Sequence, residues 1–280
     1  MQEGLAAFVR GRYDQAIVLL EKGVASGQAG AERTSALRAL ATAQMLAGRY
    51  AKAEAAATEL LAAGLLNGQV EAATASDLLL LAGIEKAQGR YERAEAAYRE
   101  GIERLGRQYG VDHPEVSEAL CSLGDIRFAQ GRLPEAERLY WRAHMVGTYV
   151  GGADSSLVGA ALLGLGRVRL AQDRKAEGRE LLARALRIAD KPPRADNKWG
   201  RLDARDLRAM QAEAPEHIAF RGRIYSRAAE PSHPDFAEHL EHRAAILRAL
   251  GRAEEAEASE LRAREIRRKA FGDDAPGSRR

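Results

Sequence analysis

The feature that most constrains this chain is a short motif, Gly-Arg-Tyr-x-x-Ala, which recurs along its 280 residues. Full copies begin at Gly11, Gly48 and Gly89, and weaker copies begin at Gly131, Asp173 and Gly251. The starting positions differ by 37, 41, 42, 42 and 78 residues, so the last interval leaves room for one degenerate copy. Such a period is typical of repeat proteins, in which each supersecondary unit buries its apolar face against its neighbours.

Apolar residues at helical spacing flank each motif. The repeat around Gly131 has Leu120, Leu123 and Gly124 before the motif, and Ala136, Tyr140 and Ala143 after it. These positions follow the i, i+3, i+4, i+7 spacing of one helix face on both sides of the glycine. The pattern predicts a helix, a tight glycine turn and a second helix.

Small residues recur at two fixed positions of the repeat. Seven residues before the motif start stand Ala41, Ala82, Gly124, Gly166 and Ala244. Five residues after the motif start stand Ala16, Ala53, Ala94, Ala136, Gly178 and Ala256. Side chains of this size let two helix axes approach to the short end of the usual separation of about 8–10 Å. We therefore expect each helix pair to form a closely packed antiparallel hairpin.

The residues around Gly131 resemble the tetratricopeptide repeat, whose consensus positions they occupy, and the resemblance covers most of residues 4–271. It implies an all-α fold, a right-handed superhelical solenoid of antiparallel helix-turn-helix repeats. The longer period and the connector Tyr109-Gly-Val-Asp-His-Pro114 resemble the kinesin-light-chain subtype of about 42 residues. The connector recurs as Ser232-His-Pro-Asp235, and in each case the next turn glycine comes 18 positions after the His. We expect both His-Pro pairs to begin helices, with Pro at the first position and polar caps before it.

The repeats divide the chain into four segments. Residues 1–190 hold repeats 1–5, the first of them incomplete, and residues 233–272 hold the last repeat and a capping helix. Residues 191–232 read as an irregular connection with a degenerate repeat, and residues 273–280 as a flexible basic tail. Trp199 in the irregular segment is either a packed side chain or an anchor for a partner.

Charge and hydropathy exclude several classes of function. The 43 basic and 40 acidic side chains are interleaved, as on solvated helix faces, so no clustered basic stripe favours a nucleic acid. No apolar run is long enough for direct membrane insertion. Cys121 is the single cysteine, so no intrachain disulfide can form, and this favours a cytoplasmic location. The first repeat starts inside its first helix, so we also consider a missing upstream portion, an envelope location or a larger multidomain parent.

The residues that could carry chemistry form no recognisable catalytic or cofactor motif. No phosphate-binding glycine loop is present, and Cys121 has no base or orienting group in its sequence neighbourhood. His239 and His242 are three residues apart, which does not match the helical zinc motif, so we expect them on a solvated face. The sequence therefore predicts no enzyme activity, no metal site and no cofactor.

The resemblance places a partner-binding groove on the first helices of successive hairpins. Its predicted lining is Arg38, Met45, Leu79, Lys86, Cys121, Asp125, Phe128, Leu163, Arg167 and Leu170, together with Thr42 and Gly83. This lining is apolar with scattered charges of both signs. It lacks the Lys, Arg and Asn set with which family members clamp a C-terminal carboxylate, and it lacks the Asn-rich character of kinesin-light-chain grooves.

These observations favour a scaffold or adaptor that binds a protein or peptide in its concave groove. Met45, Leu79, Phe128 and Leu170 are the expected anchors, with Lys86, Asp125 and Arg167 orienting the ligand. Two alternatives stay open. One is a regulatory or substrate-recruiting module of a larger enzyme or signalling protein, and the other is a self-assembling structural module, which leaves homo-oligomerisation open.

Overall fold

The predicted turns are present, and they fix where the first helix of each hairpin ends. The protein is described by a computed structural model over residues 1–27, 30–66, 71–110, 112–191 and 233–271. In these ranges the regular secondary structure is helical throughout. The helices are α1 (Gln2–Val9), α2 (Tyr13–Ala25), α3 (Ala31–Leu46), α4 (Tyr50–Leu66), α5 (Glu71–Ala87), α6 (Tyr91–Tyr109), α7 (Pro114–Ala129), α8 (Leu133–Gly151), α9 (Ser156–Ala171), α10 (Lys175–Ala189), α11 (Asp235–Ala249) and α12 (Ala253–Phe271).

Every motif start is the left-handed residue of a hairpin turn, with φ between 61° and 78°. At Gly131 the turn is closed by two backbone bonds. The Arg132 N–H donates to the Arg127 carbonyl at 2.9 Å and the Gly131 N–H to the Phe128 carbonyl at 3.0 Å. This is the Schellman arrangement that ends helices at a positive φ. Asp173 makes the same turn at φ 61°, a conformation that Asp tolerates better than most side chains.

The small residues at the two fixed positions are all buried, as the spacing predicted. The α9–α10 hairpin gives the clearest case, because Gly166 and Gly178 face each other there. A Cβ on Gly166 would lie 2.6 Å from Leu182 Cγ and 3.2 Å from the Gly178 carbonyl oxygen. Larger side chains would therefore wedge this hairpin open.

The chain divides into two compact units. Over the described residues, the first contains residues 1–104, 233–235 and 264–271, and the second contains residues 105–191 and 236–263. In the first unit α1 to α5 pack in chain order, each on the next. Tyr13 anchors the core of this unit, with ring centroids 5.1 Å from Phe8 and 5.0 Å from Phe271.

In the second unit α7 to α10 pack in the same order. One apolar cluster of this unit joins Val158, Leu162 and Leu182 to Ala244 and Leu247. The expected class, an all-α repeat of antiparallel helical hairpins, is confirmed.

The His-Pro connector before α7 acts as a helix start. His113 is the N-cap, its Nδ1 accepts the Glu115 N–H at 3.3 Å, and Pro114 occupies the first turn. His113 also stacks on Tyr109 with centroids 5.1 Å apart. Capping and packing therefore account for His113, as predicted. Except for Lys191, the predicted irregular connection at 191–232 lies outside the described residues, as do Trp199 and the tail at 273–280.

Candidate functional site

The predicted groove residue Arg38 is enclosed in the first unit and bonded to Asp77. Arg38 Nε donates to Asp77 Oδ1 at 2.7 Å and Nη2 to Oδ2 at 3.0 Å, a bidentate pair between α3 and α5. The two side chains are only 6% and 1% exposed. Their bonding groups are used within the hairpin stack, so Arg38 connects two repeats. The sequence offered an Arg at a groove position but no signal that Asp77 would pair with it.

The other groove candidates of this unit lie close to glycines. Leu79 packs on α6, where a Cβ on Gly101 would lie 2.5 Å from Leu79 Cδ2. Met45 Sδ is 3.9 Å from the position of a Cβ on Gly83. Leu79 thus contributes to packing inside its own hairpin. Met45 and Lys86 are partly exposed.

In the second unit, three predicted residues come together on α7 and α9. Asp125 Oδ1 accepts the hydroxyl of Tyr140 at 2.9 Å and lies 3.6 Å from Arg167 Nη1. Arg167 Cζ stands 4.4 Å from the centroid of the Phe128 ring, in cation–π geometry. The Arg167 and Asp125 side chains are 40% and 45% exposed. We call Asp125, Phe128 and Arg167 the α7–α9 patch.

Tyr140 supports this patch from beneath. Its ring lies between two glycines: a Cβ would be 2.6 Å from the ring at Gly124 and 2.3 Å from it at Gly164. Burial, followed by the negative charge of Asp125, raises the pKa of the Tyr140 hydroxyl above its ordinary value. The hydroxyl therefore stays protonated and donates to Asp125. The sequence identified Tyr140 as a consensus position but did not predict its bond to Asp125.

The remaining predicted residues of this unit lie deeper. Cys121 is half-buried against the cluster around Tyr140, and Leu163 is buried among the α9–α10 side chains. Leu170 packs on the second helix of its hairpin, where a Cβ on Gly178 would lie 2.9 Å from Leu170 Cδ2. Leu163 and Leu170 thus pack within the hairpin. Among the predicted groove residues of the second unit, Asp125 and Arg167 therefore supply the exposed polar surface.

His239 and His242 do not lie on a solvated face, so that expectation is wrong. Both are partly enclosed, and burial lowers the pKa of each below its ordinary value. Their helix α11 packs against α9 and α10, which the sequence did not reveal because the connection before α11 is irregular.

The described part of the chain contains neither a metal-binding cluster nor a helix suited to a membrane. No three His, Cys, Asp or Glu side chains are grouped there in a way that could hold a metal ion. Within the same ranges, no helix has the length and apolar character needed to cross a membrane.

Three tetratricopeptide repeat models match the chain, over residues 1–64, 72–146 and 236–276. Together they cover more than half of it. The chain belongs to the tetratricopeptide repeat family. None of the curated proteins compared with this chain matches it.

Solved structures of similar fold cover nearly the whole chain. RapI in its apo form has a TM-score of 0.59 at 14% identity, covering 95% of this chain and 96% of that one. BtubC (BKLC) from P. vanneervenii has a TM-score of 0.53 at 17% identity, covering 97% and 92%. The Rap conjugation gene regulator of the plasmid pLS20, in complex with a peptide, has a TM-score of 0.55 at 14% identity, covering 95% and 72%. At these identities the likeness concerns the fold.

Proposed function

We propose that this protein is a scaffold or adaptor that holds a peptide segment of a partner protein on the α7–α9 patch. The observation that carries the proposal is the exposed but ordered Asp125–Arg167 pair beside Phe128. The ligand lies along the first helices of adjacent repeats, with an apolar side chain on Phe128 and polar groups facing Asp125 and Arg167.

The geometry supports this because the patch is held in place before any ligand arrives. Asp125 is fixed by the Tyr140 hydroxyl, and Arg167 is held above Phe128. Ordered side chains lose less conformational entropy on binding, which leaves more of the interaction energy for affinity. Arg38 has no such role in the proposal, because its guanidinium is enclosed with Asp77.

A relative of similar fold supports a peptide as the ligand, since the pLS20 regulator was solved in complex with one. The repeat period and the His-Pro connectors support membership of the kinesin-light-chain subtype, which we propose as the finer assignment. The residues between 191 and 232 are proposed as a degenerate repeat.

A peptide-display selection on the immobilised full chain tests the proposal. Phe128→Glu and Arg167→Glu should each weaken a selected peptide by about tenfold or more, because they remove its anchor or reverse its polar contact. Val18→Glu is the matched control, since Val18 is an exposed apolar residue on α2. The proposal fails if peptides are selected and all of them bind the Phe128 and Arg167 variants as tightly as they bind the wild-type chain.

A further inference from the structure

An apolar stripe lies exposed on α8, the second helix of its hairpin. Trp141, Met145 and Tyr149 are spaced four residues apart and are 44%, 68% and 67% exposed. Residues at this spacing share one helix face, so the three side chains form a continuous strip about two turns long. Val18 and Leu261 are the other large apolar side chains of comparable exposure in the described chain, and each stands alone on its helix. A cluster of three thus differs from the scattered apolar residues of ordinary surfaces.

A recess of about 260 Å³ adjoins the stripe. It lies among α8, α9 and α10, and its lining includes the apolar residues Trp141, Leu165 and Leu181 together with Arg184 and Arg187. A concave site of this size accepts one large side chain from a ligand. The stripe therefore offers an extended apolar contact surface, and the recess offers a pocket for one side chain of a ligand.

The charge around this face is mostly positive. Arg138 and Arg142 flank the stripe along α8, and Arg184 and Arg187 flank the recess on α10. Among the residues that the structure describes, none of these four arginines forms a direct ion pair, although Arg184 and Arg187 attract the Asp154 carboxylate from a greater distance. Of the acids lining the recess, Glu177 is already paired with Arg169 and Arg174. The face therefore complements an acidic ligand.

We propose that the face formed by the α8 stripe and the α8–α10 recess binds an acidic amphipathic helix of a partner protein. The partner helix lays apolar residues along Trp141, Met145 and Tyr149 and inserts one of them into the recess. Its carboxylates face the unpaired arginines. The stripe and the four arginines lie on the second helices α8 and α10, and the two α9 residues that line the recess, Leu165 and Arg169, are not members of the α7–α9 patch.

The recess distinguishes this partner from an anionic membrane, the other ligand that aromatic and basic residues attract. A lipid surface is broad and makes no use of a socket that fits one side chain. Glu180 lines the recess as well and would repel anionic headgroups pressed against it. A helix can turn an uncharged or basic residue of its own toward this acid.

A binding experiment with a defined library tests the proposal. The probe is a displayed set of acidic helical peptides with aromatic and leucine anchors at i, i+4 and i+8, presented to the full chain. Selected peptides should lose about tenfold or more in affinity for the variants Met145→Glu and R184E/R187E. They should keep their affinity for Val18→Glu, which changes an exposed apolar residue on a different helix. The two Trp residues allow a second readout, because in a Trp199→Phe chain binding should shift the emission of Trp141 to the blue.

Three results would overturn the proposal. The first is that no selected peptide is sensitive to Met145→Glu while the variant chain keeps the wild-type melting temperature. The second is Met145-dependent binding to phosphatidylcholine–phosphatidylserine vesicles without Met145-dependent peptide binding. The third is concentration-dependent dimerisation in light scattering that Met145→Glu abolishes, because a second copy of the chain would then occupy the face.

Discussion

The two units use an Arg–Asp pair between first helices in opposite ways. In the first unit Arg38 and Asp77 are almost completely enclosed, whereas in the second unit Asp125 and Arg167 are roughly half exposed. The position that holds Asp125 in α7 holds Gly83 in α5, each six residues before its turn glycine. Equivalent positions of the repeat therefore share a backbone location, but the side chain at each one decides whether it carries a charge.

The tyrosines beneath these positions show the same contrast. Tyr98 and Tyr140 each follow the turn glycine by nine residues. The Tyr140 hydroxyl donates to Asp125, whereas the Tyr98 hydroxyl lies 3.6 Å from the position of a Cβ on Gly83. A ligand-facing carboxylate is thus supported in the second unit, and the corresponding site of the first unit has no side chain to present.

The largest expected effect comes from breaking the enclosed pair. Asp77→Ala leaves the Arg38 guanidinium buried without its partner, so the free energy of unfolding should fall by about 3–5 kcal/mol. Urea denaturation followed by circular dichroism measures this loss. The double variant R38M/D77L should recover most of it, because no uncompensated charge remains. A loss below about 1 kcal/mol for Asp77→Ala would contradict the structural role of the pair.

A smaller effect is expected from crowding the Tyr140 ring. Gly164→Ala places a methyl group 2.3 Å from the Tyr140 ring, which is already held closely by Gly124 of α7. The free energy of unfolding should therefore fall by about 1–3 kcal/mol. Gly83→Ala is the matched control, because its nearest neighbour would be 3.6 Å away, and it should raise stability by up to about 1 kcal/mol through helix propensity. Equal changes in the free energy of unfolding for Gly164→Ala and Gly83→Ala would contradict the claim that only the second unit packs a tyrosine ring tightly against its glycines.

The exposed pair should matter little for folding. Asp125→Ala removes a partly exposed ion pair and one hydrogen bond, so the expected loss is about 1 kcal/mol. A double-mutant cycle with Tyr140→Phe isolates the hydrogen bond, whose coupling should be about 0.5–1.5 kcal/mol. A loss for Asp125→Ala as large as that for Asp77→Ala would show that Asp125 is also structural.

The smallest effect is a pH dependence located in the second unit. Burial lowers the pKa of His144, His239 and His242, so the unfolded chain binds protons more readily than the folded one. Their contribution to stability is complete above the unfolded pKa of about 6.5 and declines as the pH falls below it. Denaturation curves at a series of pH values measure this decline. His242→Gln should flatten it, and an unchanged decline in that variant would exclude His242 as a source.

The fold could be predicted closely because the turns and the small residues are local requirements. A residue at positive φ must be Gly or a tolerant substitute such as Asp173, and close helix pairs need residues such as Gly166, so both leave a pattern in the sequence. The groove could be predicted only as a set of positions. Whether Arg38 faces a ligand or a neighbour depends on Asp77, which stands in another helix at a position that the repeat does not mark.

The prediction that His239 and His242 of α11 lie on a solvated face is wrong for a related reason. Their enclosure depends on how α11 meets α9 and α10, and the interrupted repeat before α11 hides that register. The Trp141–Met145–Tyr149 stripe, by contrast, is readable in the sequence. Its exposure depends on which face of α8 packs inward, which the buried side chains of Tyr140 and Ala143 decide.

Hydrogen–deuterium exchange of the full chain with and without a display-selected peptide that depends on Phe128 tests the central claim most directly. If the peptide binds the α7–α9 patch, amide exchange should become slower in α7 and α9. Exchange in α3 should stay unchanged, because Arg38 already forms a buried ion pair with Asp77. Protection of α3 and α5 with no change in α7 and α9 would contradict it.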